Sequence, residues 1–271
     1  MILMAGSTQI PCSRDWSGVI LVTATFIGPD SRFCMSKMLI LDRPAFLFVQ
    51  CLEEIQSWSE AHPTHLPLLV LINAKQAPID LPGAVEPLEF DHAAFDALDS
   101  EIRAVIGPKQ LLTPDDVRGD AATLRDAVLE NGWSSLAETR GKIFFALDEG
   151  PIVVEIYRRG KSALQGHAMF VNAPDELSDD AAYFTMNDPV ATGELITSRV
   201  QKGFIVRTRA DANTIEARSG DRERLNAALV SGAQYISTDY YLPRKEWSTY
   251  LASMPNGEMQ RANPHGACAY P

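Results

Sequence analysis

Hydrophobic positions recur along the chain with two different periods from residue 46 onward. In residues 46–63 (FLFVQCLEEIQSWSEAHP), apolar side chains recur at every third or fourth position, which is typical of an amphipathic helix, and Pro63 marks its end. The next segment, residues 66–75 (LPLLVLINAK), is nearly continuous in apolar residues and predicts a strand buried on both faces. The chain therefore begins its regular part with a helix followed by a buried strand.

The same two patterns repeat toward the C-terminus. Helices are predicted at residues 91–107, 123–132, 188–203 and 213–232, with a further short helix before residue 167. Strands are predicted at residues 142–150, 167–174, 203–211 and 235–241. Thr113, which precedes Pro114, is a predicted helix N-cap. Short strands separated by helices are typical of a parallel sheet built from βαβ units.

The choice between a doubly wound sheet and a barrel depends on the glycines and on the polar residues. A doubly wound sheet usually carries a phosphate-binding turn such as GxGxxG or GxxxxGK, and the sequence contains neither. We therefore predict an α/β, TIM-barrel-like (β/α)₈ fold that is distorted or incomplete at its N-terminal strands.

Residues 1–45 do not follow this alternation and are treated as an atypical N-terminal segment, with residues 46–271 as the barrel domain. Residues 19–27 and 38–41 are apolar enough to serve as substitute strands. The first of these runs lacks the basic segment that a signal peptide needs before it, so we expect no working secretion signal here. The segment after Pro243 is predicted to lie as a tail on the surface of the barrel or sheet.

The net charge and the cysteine content limit which ligands and surfaces the protein is expected to bind. The 271 residues carry a net charge of −11, which argues against binding to a nucleic-acid backbone. Membrane contact would need a local patch or a bound cation. Four cysteines at no metal-ligand spacing are expected to be buried or unpaired thiols.

Polar side chains follow the predicted strands, where a barrel assembles its active site. These residues are Asn73, Lys75, Asp148, Asn172, Arg207, Arg209, Asp211, Asp239 and Tyr240. Cations, amides and carboxylates above an apolar core suit an anionic, oxygen-rich substrate such as a phosphate ester.

Structural roles for the same residues stay open at this point. A carboxylate after a strand is often a helix N-cap or a turn residue, which applies to Asp148 and Asp239. The two arginines, Arg207 and Arg209, are alternatively structural partners of those carboxylates. None of the five histidines follows a predicted strand, so no general acid or base is identified. We expect a surface position for His62 and His65.

Several stretches together resemble one family. The runs LPLLVLINAK, RGKIFFALDEG, FIVRTRADANTIEARSGD and GAQYISTDYYLP are similar to the bacterial Ca²⁺-dependent phosphoinositide-specific phospholipase C group. That group belongs to the phospholipase C-like phosphodiesterase barrels. The resemblance covers roughly residues 46–268, and the RTRAD and STDY segments are its most specific parts.

This resemblance implies a distorted TIM barrel acting on a phosphodiester. Two histidines are the general base and acid, and Ca²⁺ held by Asn, Glu, Asp and a second Glu stabilises the charge on phosphorus. Lys75, Arg207, Arg209, Asp239 and Tyr240 are then the expected substrate-binding residues. Phosphoinositide or another phosphodiester is the implied ligand, with transient contact to a membrane surface. Members of the family are often secreted.

This chain departs from the family pattern at the catalytic positions. The His-Asn pair and the Glu-x-Asp motif of the first strands are absent from residues 1–45, and FCMSKMLILD lacks the second histidine. Asn73 replaces the last calcium-ligating Glu, so it is a weak ligand for Ca²⁺, because its amide oxygen lacks the charge that dominates affinity. Ala262 replaces one cysteine of an "RCNP" ending, which leaves Cys268 without that partner.

Three hypotheses follow from these observations. The chain is an active phospholipase C-like phosphodiesterase, a non-catalytic relative whose barrel binds an anionic headgroup, or a gene fragment of an active enzyme. Loss of the acid-base groups and of calcium ligands favours the last two over the first.

Overall fold

The computed structural model describes the main chain of residues 19–24, together with residues 48–74, 76, 88–241, 246, 248–254, 257 and 260–265. The strands within these ranges are β1 Val19–Ala24, β2 Leu68–Ile72, β3 Ile143–Leu147, β4 Met169–Val171, β5 Tyr183–Thr185, β6 Ile205–Arg209, β7 Tyr235–Thr238 and β8 Gln260–Ala262. The helices are α1 Phe48–Ala61, α2 His92–Gln110, α3 Pro114–Arg118, α4 Leu124–Glu130, α5 Leu136–Thr139, α6 Pro151–Arg158, α7 Pro189–Gln201, α8 Ile215–Ser219 and α9 Glu223–Ser231.

The strands form two sheets with mainly parallel pairing. One sheet has the order β5-β6-β7-β1-β8 and the other has the order β2-β3-β4. Every pairing is parallel except that of β8 with β1. An isolated parallel bridge between Asn172 and Tyr183 connects the end of β4 to β5, so the two sheets adjoin there. The predicted α/β class with parallel strands is confirmed, whereas the described ranges contain no closed barrel.

The N-terminal strand and the C-terminal tail pair with each other. Part of the predicted strand at residues 19–27 is confirmed, since β1 pairs in parallel with β7. The predicted strand at residues 38–41 lies outside the described residues. The tail does not simply lie on the surface, because β8 pairs with the free edge of β1 in the antiparallel direction. Main-chain groups at a sheet edge require partners, and this segment supplies them.

Most predicted helices are present, with changes at glycines. The main chain of α2 breaks at Gly107 (φ 68°, ψ 160°), the residue predicted to end it. The single helix predicted at residues 213–232 is wrong: Gly220 (φ 71°) separates α8 from α9. Thr113 caps α3 as predicted, and its side chain accepts a hydrogen bond from the Asp116 N–H. The short β5 and α5 were not predicted, because three or four residues carry too little periodicity.

The core lies between the two sheets and the helices. Side chains alternate along the strands. Phe184 points toward α7, where the Arg199 guanidinium lies 3.9 Å above its ring. Tyr235 instead crosses the interior, where its hydroxyl donates to the Pro67 carbonyl oxygen over 2.9 Å and its ring packs against Phe144. This contact joins the two sheets across the core.

A buried polar network stands at the opposite end of the strands, where β4 begins. The Tyr157 hydroxyl donates to the Asp99 carboxylate over 2.8 Å and accepts from the Met169 N–H over 2.9 Å. The same carboxylate accepts from the Ala168 N–H over 3.0 Å. Burial raises the pKa of the Tyr157 hydroxyl well above its ordinary value, so it remains a donor. This network fixes α2 and α6 to β4.

Two expectations about single residues were wrong. His65 is buried rather than superficial, and its Nε2 lies 2.7 Å from the Ser59 hydroxyl, whereas His62 is exposed as predicted. Cys51 is buried but is not a thiol, since it is disulfide-bonded, and Cys12, Cys34 and Cys268 lie outside the described residues. Among the described helices, none has the length and apolar character to cross a membrane.

Candidate anion-binding site at the strand ends

The carboxyl ends of parallel strands lie on one side of their sheets, and polar residues gather there. We call this region the mouth. It is formed by Asn73, Asp148, Asn172, Asn187, Arg207, Arg209, Asp211 and Asp239.

Arg207 is the buried cation of the mouth. In the register of the sheet it lies between Thr185 of β5 and Tyr235 of β7, and it is only 6% exposed. Its guanidinium donates to Asn187 Oδ1 over 2.6 Å and to Ser237 Oγ over 2.5 Å. Its Nε is buried and has no hydrogen-bond partner among the residues that the structure describes. The guanidinium therefore retains donor capacity within the mouth.

The charge on Arg207 persists despite its burial. Burial lowers the pKa of the guanidinium, and the negative charges of Asp148 and Asp239 act in the opposite direction. A guanidinium starts from so high a pKa that it stays protonated at neutral pH. Among the described residues, both side chains that hydrogen-bond to Arg207 are neutral, so it makes no direct ion pair with those carboxylates there, although their charges act on it. Arg209, two residues further along β6, is half-buried and faces the same side.

The exits of β2 and β3 are joined by two hydrogen bonds to main-chain carbonyl oxygens. The Asn73 side-chain amide donates to the Asp148 carbonyl oxygen over 2.7 Å, and the Asp148 N–H donates to the Ile72 carbonyl oxygen over 2.8 Å. Asp148 is not a helix N-cap, because Gly150 occupies that position in α6 without a side-chain hydrogen bond. The Asp148 carboxylate is thus held at the mouth by its own main chain.

The exits of β6 and β7 are joined by a buried carboxyl group. Asp211 is 4% exposed, and its Oδ1 accepts from the Asp239 N–H over 3.0 Å. Its Oδ2 accepts from the Thr238 hydroxyl. Burial raises the pKa of Asp211, and the nearby negative charge of Asp239 acts in the same direction. Asp239 itself is exposed at the mouth.

The other predicted site residues have different surroundings. Asn172 Oδ1 accepts from the Thr185 N–H over 2.9 Å and so supports the junction of the two sheets. The Tyr240 ring packs edge-on against Tyr250 with centroids 5.6 Å apart, in a small apolar cluster next to α9. Substrate contact by Tyr240 stays a prediction. Lys75 lies outside the described residues.

Two polar contributors were missed from the sequence, Asn187 and Ser237. Both bind the Arg207 guanidinium. Ser237 lies two residues before Asp239 on the same predicted strand, residues 235–241, so strand alternation was a usable signal for it. Asn187 follows β5, whose three residues gave no recognisable pattern.

The described residues do not fit a calcium centre. Calcium requires six to eight oxygen ligands, usually including several carboxylates. No group of three or more His, Cys, Asp or Glu suited to a metal occurs in the part of the chain that the structure describes. The Asn73 amide nitrogen donates to the Asp148 carbonyl oxygen, and an amide oxygen carries no charge for a calcium ion.

The described hydrogen bonds of the histidines are made to residues outside the mouth. His92 and His265 approach main-chain carbonyls of Ile156 and Val230, and His167 approaches Asp99 in the network below β4. His65 and His167 precede β2 and β4, His62 and His92 lie at helix ends, and His265 follows β8, the antiparallel strand. Acid-base chemistry by a histidine is therefore not available from the described part of the mouth.

Parallel strands with a polar mouth define an α/β protein, and the comparisons with known proteins specify its family. The model of the family "phosphoinositide phospholipase C, Ca²⁺-dependent" matches residues 43–264. The chain belongs to this family, as the sequence resemblance predicted. Among the curated proteins, none matches the sequence of this chain.

Solved structures of bacterial enzymes share the fold. The Ca²⁺-dependent phosphatidylinositol-specific phospholipase C of Streptomyces antibioticus is 22% identical, with a TM-score of 0.50, over 72% of this chain and 70% of that enzyme. The calcium-dependent phosphoinositol-specific phospholipase C of a Pseudomonas species is 14% identical, with a TM-score of 0.53, over 79% of this chain and 71% of that enzyme. These neighbours are TIM-barrel-like, so the fold is that of a phospholipase C-like phosphodiesterase.

Proposed function

We propose that the mouth binds the anionic headgroup of a phosphoinositide or a related phosphodiester, within a TIM-barrel-like domain of residues 46–271. The observation that carries this proposal is Arg207: a buried, charged guanidinium held by two neutral side chains, whose Nε has no hydrogen-bond partner within the described ranges. A buried cation without a carboxylate partner is costly, and an anionic ligand offsets that cost. Arg209 adds a second positive charge on the same face of β6.

The carboxylates of the mouth complement the arginines. The carboxylates of Asp148 and Asp239 can accept hydrogen bonds from hydroxyl groups of a ligand, whereas guanidinium groups bind phosphate oxygens. A polyol phosphate carries both kinds of group. Lys75, by family resemblance, is a further proposed contact for the phosphate.

Binding without hydrolysis is the version that the described residues support. Phosphodiester cleavage in this family needs a general base and a general acid, and no described histidine serves the mouth. Family membership nevertheless favours hydrolysis as the second candidate. Calcium belongs to that second candidate and would have to use ligands beyond the described residues, with Asn73 as a weak contributor.

We further propose that the mouth approaches a membrane surface transiently. Three large apolar side chains are exposed in the first turns of the helices that begin on the mouth side: Ile152 of α6, Val190 of α7 and Ile215 of α8, with exposures of 81, 51 and 63%. Apolar side chains at the rim of a headgroup site enter the interfacial region of a bilayer at little cost. Replacing all three by serine should weaken sedimentation with phosphatidylinositol vesicles and leave binding of soluble inositol phosphate unchanged.

The central test is calorimetric titration with inositol 1-phosphate. Wild-type protein should bind, and Arg207→Ala should bind at least about tenfold more weakly, because a charged hydrogen-bond donor is lost. Arg159→Ala is the matched control, since Arg159 is an exposed arginine at the far end of α6. Unchanged affinity in a folded Arg207→Ala variant would reject the proposal.

Hydrolysis is tested separately with phosphatidylinositol, with and without Ca²⁺. Turnover that depends on Ca²⁺ would establish the second candidate. The fragment hypothesis predicts a coding stretch with His-Asn and Glu-x-Asp in the DNA upstream of Met1, which sequencing of that region decides.

A further inference from the structure

We propose that Asp211 is the positioning residue of the mouth, fixing the exits of β6 and β7 so that Asp239 and the arginines meet the same ligand. This inference rests on the proposed function. Asp211 itself is buried and is not proposed to touch the ligand.

The first support is the geometry of its carboxylate. One oxygen accepts from the Asp239 N–H over 3.0 Å, and the other accepts from the Thr238 hydroxyl. The Thr238 hydroxyl oxygen accepts in turn from the Tyr240 N–H over 2.9 Å. Asp211 therefore holds three consecutive residues at the end of β7 from its place at the end of β6.

The second support is the position of these residues relative to the cations. Ala210, adjacent to Asp211, donates its N–H to the Ser237 carbonyl oxygen over 2.8 Å, so β6 and β7 remain in register up to the exit. Ser237 also holds the Arg207 guanidinium through its hydroxyl. A shift of β7 at Thr238 would thus displace both the anionic and the cationic sides of the mouth.

The third support is that a carboxyl group at this place is electrostatically unfavourable. Asp211 is buried beside the negative charges of Asp239 and Glu216, and it has no cationic hydrogen-bond partner among the described residues. A neutral residue would avoid this cost. However, a neutral apolar residue cannot accept hydrogen bonds from the Asp239 N–H and the Thr238 hydroxyl at once, as the carboxyl group does.

Three variants separate position from charge. Asp211→Ala removes both acceptors. Asp211→Asn keeps one acceptor for the Asp239 N–H and places an amide donor near the Thr238 oxygen. Thr238→Val removes the hydroxyl at nearly constant volume. The matched control is Asp180→Asn, another buried acid, which binds Arg158 of α6 and precedes β5, at the end of the strands opposite to the mouth.

The experiment combines calorimetric titration with inositol 1-phosphate and amide hydrogen exchange of Asp239 by NMR. We expect Asp211→Ala to weaken binding about tenfold or more and to lose protection of the Asp239 amide, because misplacement of site groups is costly. Asp211→Asn should restore much of both, within about threefold of wild-type affinity, since one acceptor for the Asp239 N–H is kept. Thr238→Val should fall between them, and Asp180→Asn should resemble wild type in affinity and in protection of the Asp239 amide.

The outcomes distinguish this inference from the proposed function. Wild-type affinity in folded Asp211→Ala, or an Asp239 amide equally protected in that variant, would overturn the role of Asp211. If Asp211→Ala does not fold, equal affinity and amide protection in Thr238→Val and wild type would overturn it. Absence of inositol phosphate binding by wild type, together with an Asp239 amide that loses protection in Asp211→Ala, would reject the ligand while supporting the positioning contact.

Discussion

The Arg207 guanidinium donates to the Ser237 hydroxyl oxygen over 2.5 Å, and the same hydroxyl donates to the Thr208 carbonyl oxygen over 3.2 Å. Ser237 therefore links a buried charge on β6 to the main chain of that strand. Because the guanidinium Nε already lacks a partner, the hydroxyl is one of only two side chains that satisfy Arg207 among the described residues.

We expect Ser237→Ala to reduce the free energy of unfolding by about 1–3 kcal/mol, because it leaves a buried charged donor unpaired. Urea denaturation measures this change. Ser231→Ala is the control, since Ser231 is equally buried but donates only to the neutral Ala228 carbonyl oxygen over 2.8 Å. Equal losses in the two variants would show that Arg207 does not depend on Ser237.

Tyr157→Phe should cost about 1–3 kcal/mol of unfolding free energy, because the hydroxyl is both a donor to Asp99 and an acceptor from Met169. Tyr183→Phe is the control. Its hydroxyl meets a single side chain, Thr185 Oγ1, over 2.9 Å, so we expect a smaller loss. A larger loss at Tyr183 in thermal or urea unfolding would contradict the importance of the network below β4.

Gly141→Ala should destabilise the protein more than Gly132→Ala. Both glycines have left-handed main chains, with φ of 73° and 70°, so each substitution carries a conformational cost of about 1–2 kcal/mol. A Cβ at Gly141 would also lie 2.7 Å from the Pro63 carbonyl oxygen, whereas a Cβ at Gly132 meets nothing within 4 Å. The difference between the two melting temperatures measures the contact, and equal melting temperatures would disprove it.

Stability should fall as the pH decreases below about 6.5, partly because of His65. Burial lowers the pKa of this imidazole below its ordinary value of 6.5. The unfolded chain then binds more protons than the folded one, so the contribution is complete above that value and is lost as the pH falls toward the folded-state pKa.

Urea unfolding between pH 8 and pH 5.5 tests this dependence. We expect His65→Gln to show a shallower decline than wild type, and His62→Gln, at an exposed residue, to follow wild type. If the unfolding free energy of His65→Gln declined with pH as steeply as that of wild type, groups other than His65 would be responsible for the acid sensitivity.

The sequence determined the elements whose signal is local. The apolar run of β3 and the amphipathic pattern of α1 were predicted from their periodicity, and Thr113 was recognised as a cap from its position before Pro114. Strand alternation also predicted that Arg207 and Arg209 share one face. The RTRAD and STDY segments identified the family, which the family match confirms.

Only the tertiary structure decided which polar groups at the strand exits are engaged in hydrogen bonds within the protein and which can contact a ligand. Asp148 is freed from capping because Gly150 begins the next helix, and Asp211 is buried because two strand ends converge on its carboxylate. Arg207 donates hydrogen bonds to Asn187 and Ser237, which lie 20 and 30 residues away along the chain. Local sequence patterns reflect helix or strand propensity and burial. The hydrogen-bond partner of a side chain depends instead on which distant segment the fold brings beside it, and a short stretch of sequence carries no information about that segment.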